Sequence, residues 1–157
     1  MREFSIRGGR AEDVPEVVAL ERATAEAPHW AEAEYAAMVG GDAADYVRRR
    51  LFVAEADGVM IGFAVGKVVA DTGELESVAV DSRARRSGVG RALCGAVIEW
   101  CGEQGAGEVE LEVRAMSEGA MGLYRGLGFF SVGLRPRYYN APVDDAVLMR
   151  LDLFTGA

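Results

Sequence analysis

The stretch from Glu74 to Val113 limits the fold more than any other part of the chain. Residues 74–80 read as a strand, and residues 88–104 as a helix with Val89, Leu93, Val97 and Trp100 along one apolar stripe. Glu108–Val113 reads as a second strand, in which Val109, Leu111 and Val113 alternate strictly with Glu108, Glu110 and Glu112. A strand, a helix and a strand in close succession imply a crossover, and crossovers join parallel strands. The flanking segments point the other way. Leu51–Ala56 and Val59–Val69 flank Asp57-Gly58, a two-residue hairpin signal, and Glu74–Val80 follows closely enough to pair antiparallel. Ahead of them, residues 4–7 read as a strand and residues 10–26 and 31–40 as helices. Asp13 before Pro15 is the start signal of the first helix, and a Gly-Gly pair breaks the second. After Val113, Ser117–Leu127 is a helix closed by Gly128. Strands at Phe130–Arg137 and Ala146–Asp152 then enclose a loop containing Tyr138-Tyr139-Asn140-Ala141-Pro142. The expected fold is α+β: a mixed, mostly antiparallel seven-stranded sheet with one parallel pair, flanked by four helices.

Composition sets the class of partner. A chain of 157 residues, half of them hydrophobic, is sized for one globular domain spanning 1–157. No apolar run approaches the roughly 18 residues that span a bilayer, and the charged N-terminus lacks the apolar centre of a signal peptide. A cytoplasmic protein without a membrane partner is expected. Cys94 and Cys101 share one helical segment, roughly 10 Å apart and beyond the ~7 Å reach of a disulfide. They read as buried free thiols. His29 is the single histidine, so no histidine-rich metal site and no metal cofactor is expected. The net charge of −8 disfavours nucleic acid. Residues 83–91 depart from it, with Arg83, Arg85, Arg86 and Arg91 around two glycines. One basic spot on an acidic chain suggests a small anionic ligand; a solvated charged loop is the alternative.

That spot sits where a strand runs into the strongest helix. The spacing Gly88-Val89-Gly90 lets backbone approach a ligand with no Cβ in the way. Free N–H groups of a helix's first turn and the macrodipole both favour an anion there. No Gly-Lys-Ser/Thr follows, which excludes a nucleotide-triphosphate loop, and the third glycine of a dinucleotide fingerprint is missing.

Arg85-x-x-Gly88-x-Gly90, preceded by Val78-Ala79-Val80, resembles the coenzyme-A signature of the GNAT acetyltransferase superfamily. Residues 111–129 and 135–149 resemble, more narrowly, the ribosomal-protein-alanine N-acetyltransferases, and the Trp30 segment fits that subfamily too. The resemblance implies a sheet splayed between its fourth and fifth strands, with acetyl-coenzyme A as cosubstrate. Its pantetheine arm would bond the backbone of Val78 and Val80, its pyrophosphate would lie on the N–H groups of Arg86, Ser87, Gly88, Val89, Gly90 and Arg91, and Ala79, Arg85 and Tyr124 complete the implied coenzyme site. Ser117 stands where the family usually has an asparagine against the coenzyme. The implied partner is a protein or peptide N-terminus, with a ribosomal protein among the candidates; monomer and homodimer both stay open.

Acetyl transfer to an amine needs a base, an oxyanion holder and an acid. The resemblance assigns Glu112 as base and Tyr124 as acid, and the Val78 N–H is the expected oxyanion donor. The plain alternatives are that Glu108, Glu110 and Glu112 only solvate the sheet and that Tyr124 is core. Trp30, Tyr138, Tyr139 and Asp144 are candidates for an acceptor groove, against an ordinary hairpin loop. Arg114 is expected to fix a strand end. Other readings are a GNAT enzyme for a small amine or lysine, and a non-catalytic acyl-coenzyme-A sensor.

Overall fold

A computed structural model describes residues 3–24, 30–39, 46–140 and 142–153. Strands β1 (Ser5–Gly8), β2 (Val47–Ala56), β3 (Val59–Val69), β4 (Thr72–Val80), β5 (Glu108–Arg114), β6 (Phe130–Asn140) and β7 (Val143–Asp152) form one sheet in the order β1-β2-β3-β4-β5-β7-β6. Every neighbouring pair is antiparallel except β4 and β5. The α-helices among the described residues are α1 (Val14–Ala23), α2 (Glu32–Val39), α3 (Val89–Glu103) and α4 (Glu118–Gly126). None of them is long and apolar enough to cross a membrane.

The parallel pair positions everything that follows. It holds only at Thr72↔Glu108, Gly73↔Val109 and Glu74↔Glu110. Beyond Glu74 the strands part, while β4 stays bonded to β3 as far as Val80 and β5 to β7 as far as Arg114. The expected splay is present.

Apolar side chains divide between the two faces. On one, α3 and α4 cover Leu75, Val109, Leu111, Val113 and Met149; Cys94 and Cys101 are buried there as free thiols. On the other, α1 and α2 cover Leu51, Val53, Phe63 and Val65. The strict alternation of β5 thus buries its three apolar residues and turns its glutamates toward the α1–α2 side. Asp57-Gly58 makes the β2–β3 hairpin with both residues at positive φ, 52° and 77°, as an Asp-Gly pair favours.

Three expectations need correction. First, β2 starts at Val47 rather than Leu51. Arg48 donates to Gln104 and to the Ala70 carbonyl, and Arg49 to Glu76 at 2.8 Å, so partners on other elements hold a charged run in the sheet. Second, the tyrosines expected in a loop lie in β6, and the hairpin closes between Asn140 and Val143. A bulge between Arg135 and Tyr139 absorbs Pro136, with Arg137 at φ 51° and its N–H on Asp145 at 2.9 Å. Third, the first helix starts at Val14 rather than at residue 10, with Asp13 as its N-cap residue as the Asp13-to-Pro15 signal indicated, though the Asp13 side chain makes no cap bond. That side chain takes two bonds from Arg7 at 2.8 Å and one from the Arg10 N–H, tying β1 to the helix start. The Arg7 guanidinium therefore holds the Asp13 carboxyl below its ordinary range. His29, the Gly-Gly break and the end of the segment expected as the first helix lie outside the described residues.

Candidate active site

The parting of β4 and β5 opens a cleft of about 880 Å³, a volume within the usual range of small-ligand sites. One wall is β4, whose backbone is half used. Asp81 donates its N–H to the Ile61 carbonyl at 2.8 Å, which fixes the phase of the β3–β4 ladder. Partners in an antiparallel pair alternate between bonded and non-bonded. Counting back from Asp81↔Ile61, Ala79 and Ser77 face β3, so the N–H and C=O groups of Val78 and Val80 face the gap. Backbone groups without a ladder partner invite an extended ligand to bond as a strand would.

A bulge sits in the same wall. Leu75 pairs with Gly66 and Ser77 with Val65, so Glu76 is inserted and the side-chain parity reverses. Before it, Leu75 points to the α3–α4 face. After it, Val78 and Val80 do, and Ser77 shares the α1–α2 face with its partner Val65. The sequence carried a sign of this. The apolar residues of residues 74–80 shift from an odd position, Leu75, to even ones, Val78 and Val80.

At the far end of β4, residues 81–88 build the turn into α3. Asp81 caps it by accepting the Arg83 N–H at 2.9 Å, and the Ser87 hydroxyl donates to the Ala84 carbonyl. Arg86 and Gly88 both have positive φ, 64° and 87°. Such turns gather successive N–H groups into an anion-binding concavity, here continuous with the start of a fifteen-residue helix. Gly90 is informative by its surroundings. A Cβ there would meet only Leu123 and Val80, each at an ordinary 3.6 Å. Packing does not require glycine at this helical position, where it costs about 0.5–1 kcal/mol against alanine. Room for a ligand against the backbone explains it. Arg85, Arg86, Gly88, Gly90 and Arg91 all line the cleft. The side chains of Ser87 and Val89 do not, the first turned to Ala84 and the second buried under the helix.

The other wall brings Glu112 of β5 and Tyr124 of α4 to the same cleft, with Ser117 at the start of α4. Glu112 keeps about a third of its side chain exposed and has one loose ion pair, 3.7 Å to Arg135. Tyr124 is 8% exposed and lies edge-on to Phe129 at 6.0 Å between ring centres. Burial, with Cys94 and Tyr139 adding to it, pushes its phenol up, so it stays protonated at every physiological pH.

Of the acceptor-groove candidates, only Tyr139 lines the cleft. It lies under Arg114 at 4.2 Å and edge-on to Tyr138 at 5.1 Å, and burial first, then Glu112, raises its phenol. Arg114 also donates to the Pro142 carbonyl at 2.9 Å, and so fixes the strand end as expected from sequence. Tyr138 is exposed beside Arg135. Asp144 accepts the Met116 and Asp145 N–H groups at 3.1 and 2.8 Å and holds the β5–α4 loop. Trp30 packs on Tyr35 at 5.6 Å with Arg49 over its ring at 4.9 Å. Arg49 in turn bonds Glu76, which is in the lining. Thr24, Glu76 and Ser77 are lining residues that the sequence reading had passed over.

Charge is distributed unevenly along the cleft: Arg85, Arg86 and Arg91 gather with the helix N–H groups at the α3 end, and Glu76 and Glu112 stand with Arg114 on the strand walls at the other. Glu74 reports the field, its carboxyl pushed up by desolvation and then by Glu76, Glu112 and Glu110. A phosphate-bearing donor suits the first end and an amine the second.

An open sheet that can bind an extended donor along one strand, with a carboxylate and a buried phenol beside the gap, is an architecture suited to group transfer. The acetyltransferase (GNAT) family model matches residues 15–129, and the chain belongs to that family of acetyl-coenzyme-A-dependent N-acetyltransferases. The [ribosomal protein bS18]-alanine N-acetyltransferase of Escherichia coli is 34% identical over 143 residues, 90% of this chain and 92% of that protein. The crystal structure of the Escherichia coli ribosomal-protein-S18-alanine N-acetyltransferase superposes with a TM-score of 0.84 at 30% identity, covering 99% of this chain and 97% of that one. A segment of an uncharacterized Mycobacterium leprae protein is 48% identical over 77 residues, 49% of this chain but only 21% of that longer protein.

Proposed function

We propose that this enzyme acetylates the N-terminal α-amine of a protein, of the ribosomal-protein-alanine type, by direct transfer in a ternary complex. The observation that carries the reading is the cleft itself. Glu112 and Tyr124 converge on the gap that exposes the backbone of Val78 and Val80, with carboxylates at the acceptor end. The relatives described above support the choice of acceptor.

Acetyl-coenzyme A supplies an activated acyl group. Val78 and Val80 hold its arm, and the turn from Arg86 to Arg91 its diphosphate. An α-amine has a pKa near 8 and is about 10% neutral at pH 7, whereas a lysine amine near 10.4 is almost wholly charged. Glu112, directly or through one water, accepts the proton the amine sheds as the N–C bond forms. The Val78 N–H stabilises the oxyanion. Tyr124 gives its phenolic proton to the departing sulfur as the C–S bond breaks, and a phenol raised by burial holds that proton until the thiolate needs it.

A thiol-release assay with short peptides tests the acceptor. Peptides beginning with alanine should turn over, and the same peptides with a blocked α-amine should not, even when they contain lysine. Equal rates on blocked, lysine-containing peptides would overturn the reading in favour of a side-chain acetyltransferase.

A further inference from the structure

Ser77 lines the cleft wall, and the mechanism leaves its side chain unused. Its hydroxyl is buried, with 7% of the residue exposed, it lines the cleft, and it has no hydrogen-bond partner among the described residues. A buried hydroxyl without a partner costs free energy that alanine at the same place would not. The bulge aggravates this. Inserting Glu76 turns Ser77 away from the α3–α4 core and onto the α1–α2 face, next in sequence to the Val78 N–H. On that face lie Glu76 and Glu112, which when ionised only accept hydrogen bonds. They serve an amine, but they repel a carbonyl oxygen. A peptide whose α-amine enters here brings its first carbonyl with it, and that oxygen needs a donor.

We infer that the Ser77 hydroxyl is the acceptor-positioning donor of this site, bonding the first peptide carbonyl of the incoming N-terminus and so aligning its α-amine on the thioester. The inference rests on the α-amine reading above. It makes Ser77 a specificity residue. An amine whose nitrogen-bearing carbon is bonded directly to a carbonyl satisfies the hydroxyl, and a lysine side chain or a simple alkylamine leaves it unpaired.

The test compares wild type with Ser77→Ala on two acceptors, an alanine-initiated peptide and isopropylamine, which lacks the carbonyl. With the peptide, kcat/KM should fall about 5- to 100-fold, the cost of leaving one buried carbonyl unpaired. With isopropylamine the two enzymes should differ by less than about twofold, since no such bond is lost. Acetyl-coenzyme A affinity by calorimetry should not change, and Tm should stay level or rise. Ser77→Thr, which keeps the hydroxyl, should recover part of the peptide rate if its Tm matches wild type. An unchanged peptide kcat/KM overturns the inference, and so does an equal loss with both acceptors, which would put the hydroxyl at the reacting carbon. A lower Tm for Ser77→Ala also overturns it, since the hydroxyl would then serve the fold. If the wild type itself ignores α-amino peptides, the parent reading fails; if only the variant ratio stays flat, Ser77 fails alone.

Discussion

Tyr124 and Glu112 share a cleft but sit in opposite environments, and the difference suits opposite duties. Tyr124 is 8% exposed, against Phe129 and near Cys94, and its burial disfavours the phenolate. Glu112 is one-third exposed on a face with Glu76 and Glu110, where water can carry a proton away. Tyr124→Phe keeps the ring and its edge contact, so only the proton is lost. Its kcat should fall about 10²- to 10⁴-fold, the usual contribution of a positioned acid or base. The dissociation constant for acetyl-coenzyme A should stay within a few-fold. Steady-state kinetics alongside calorimetry reads both quantities, and a variant with wild-type kcat would remove the acid assignment. The kcat of wild type should also show no alkaline limb below about pH 10, because the ordinary phenol value is the floor from which burial raises Tyr124.

At the scale of elements, the turn into α3 separates what the fold needs from what the donor needs. Gly88 sits at φ 87°, where a side chain strains the backbone; Gly90 sits in the helix, where a Cβ would make only ordinary contacts with Leu123 and Val80. Gly90→Ala should therefore leave Tm equal or slightly higher, since alanine is the better helix former by about 0.5–1 kcal/mol. The same methyl fills the approach to the diphosphate, so affinity for acetyl-coenzyme A should drop at least about tenfold, a loss of roughly 1.4 kcal/mol. Thermal scans and calorimetry on one preparation check the pair; wild-type affinity in Gly90→Ala would move the diphosphate elsewhere. This turn was legible in the sequence because its glycines, its arginines and the helix that follows are all local signals. So were the Asp57-Gly58 hairpin and the alternation of β5. The first residues of β2 were not. Three consecutive arginines carry no strand signal of their own, and partners distant in sequence, among them Gln104, Ala70 and Glu76, hold Arg48 and Arg49 in the strand. The bulge at Glu76 left a parity shift in the sequence, but the significance of Ser77 depends on what does not touch it, which no sequence records. Asp144 is the reverse case: its carboxylate, proposed for the acceptor, already takes two backbone N–H groups.

Across the whole molecule, the sheet is stabilised by a core that includes two thiols, and this gives the fold a definite response to alkali. Cys94 is pushed up to about 12 and Cys101 to about 11, both chiefly by burial. An unfolded thiol titrates near 8.5. Above that value the unfolded chain gives up two protons that the native chain keeps. The unfolded state then binds fewer protons than the native one, and stability falls as pH rises. Below about pH 8.5 the thiols contribute no slope; through the window up to about 11 each approaches about 1.4 kcal/mol per pH unit. The raised phenols of Tyr35, Tyr124 and Tyr139 act in the same direction, but mostly as pH passes about 10, where unfolded tyrosine is half ionised. Between pH 9 and 10 the decline is therefore mainly that of the two cysteines. Denaturant unfolding at intervals of half a pH unit should show the free energy falling across this range in wild type, with about half the slope in Cys94→Ala. The variant will start lower, because the core loses the sulfur's packing, but its slope is independent of that offset. A Cys94→Ala slope equal to wild type would mean that the thiol ionises as readily in the native core as in the unfolded chain.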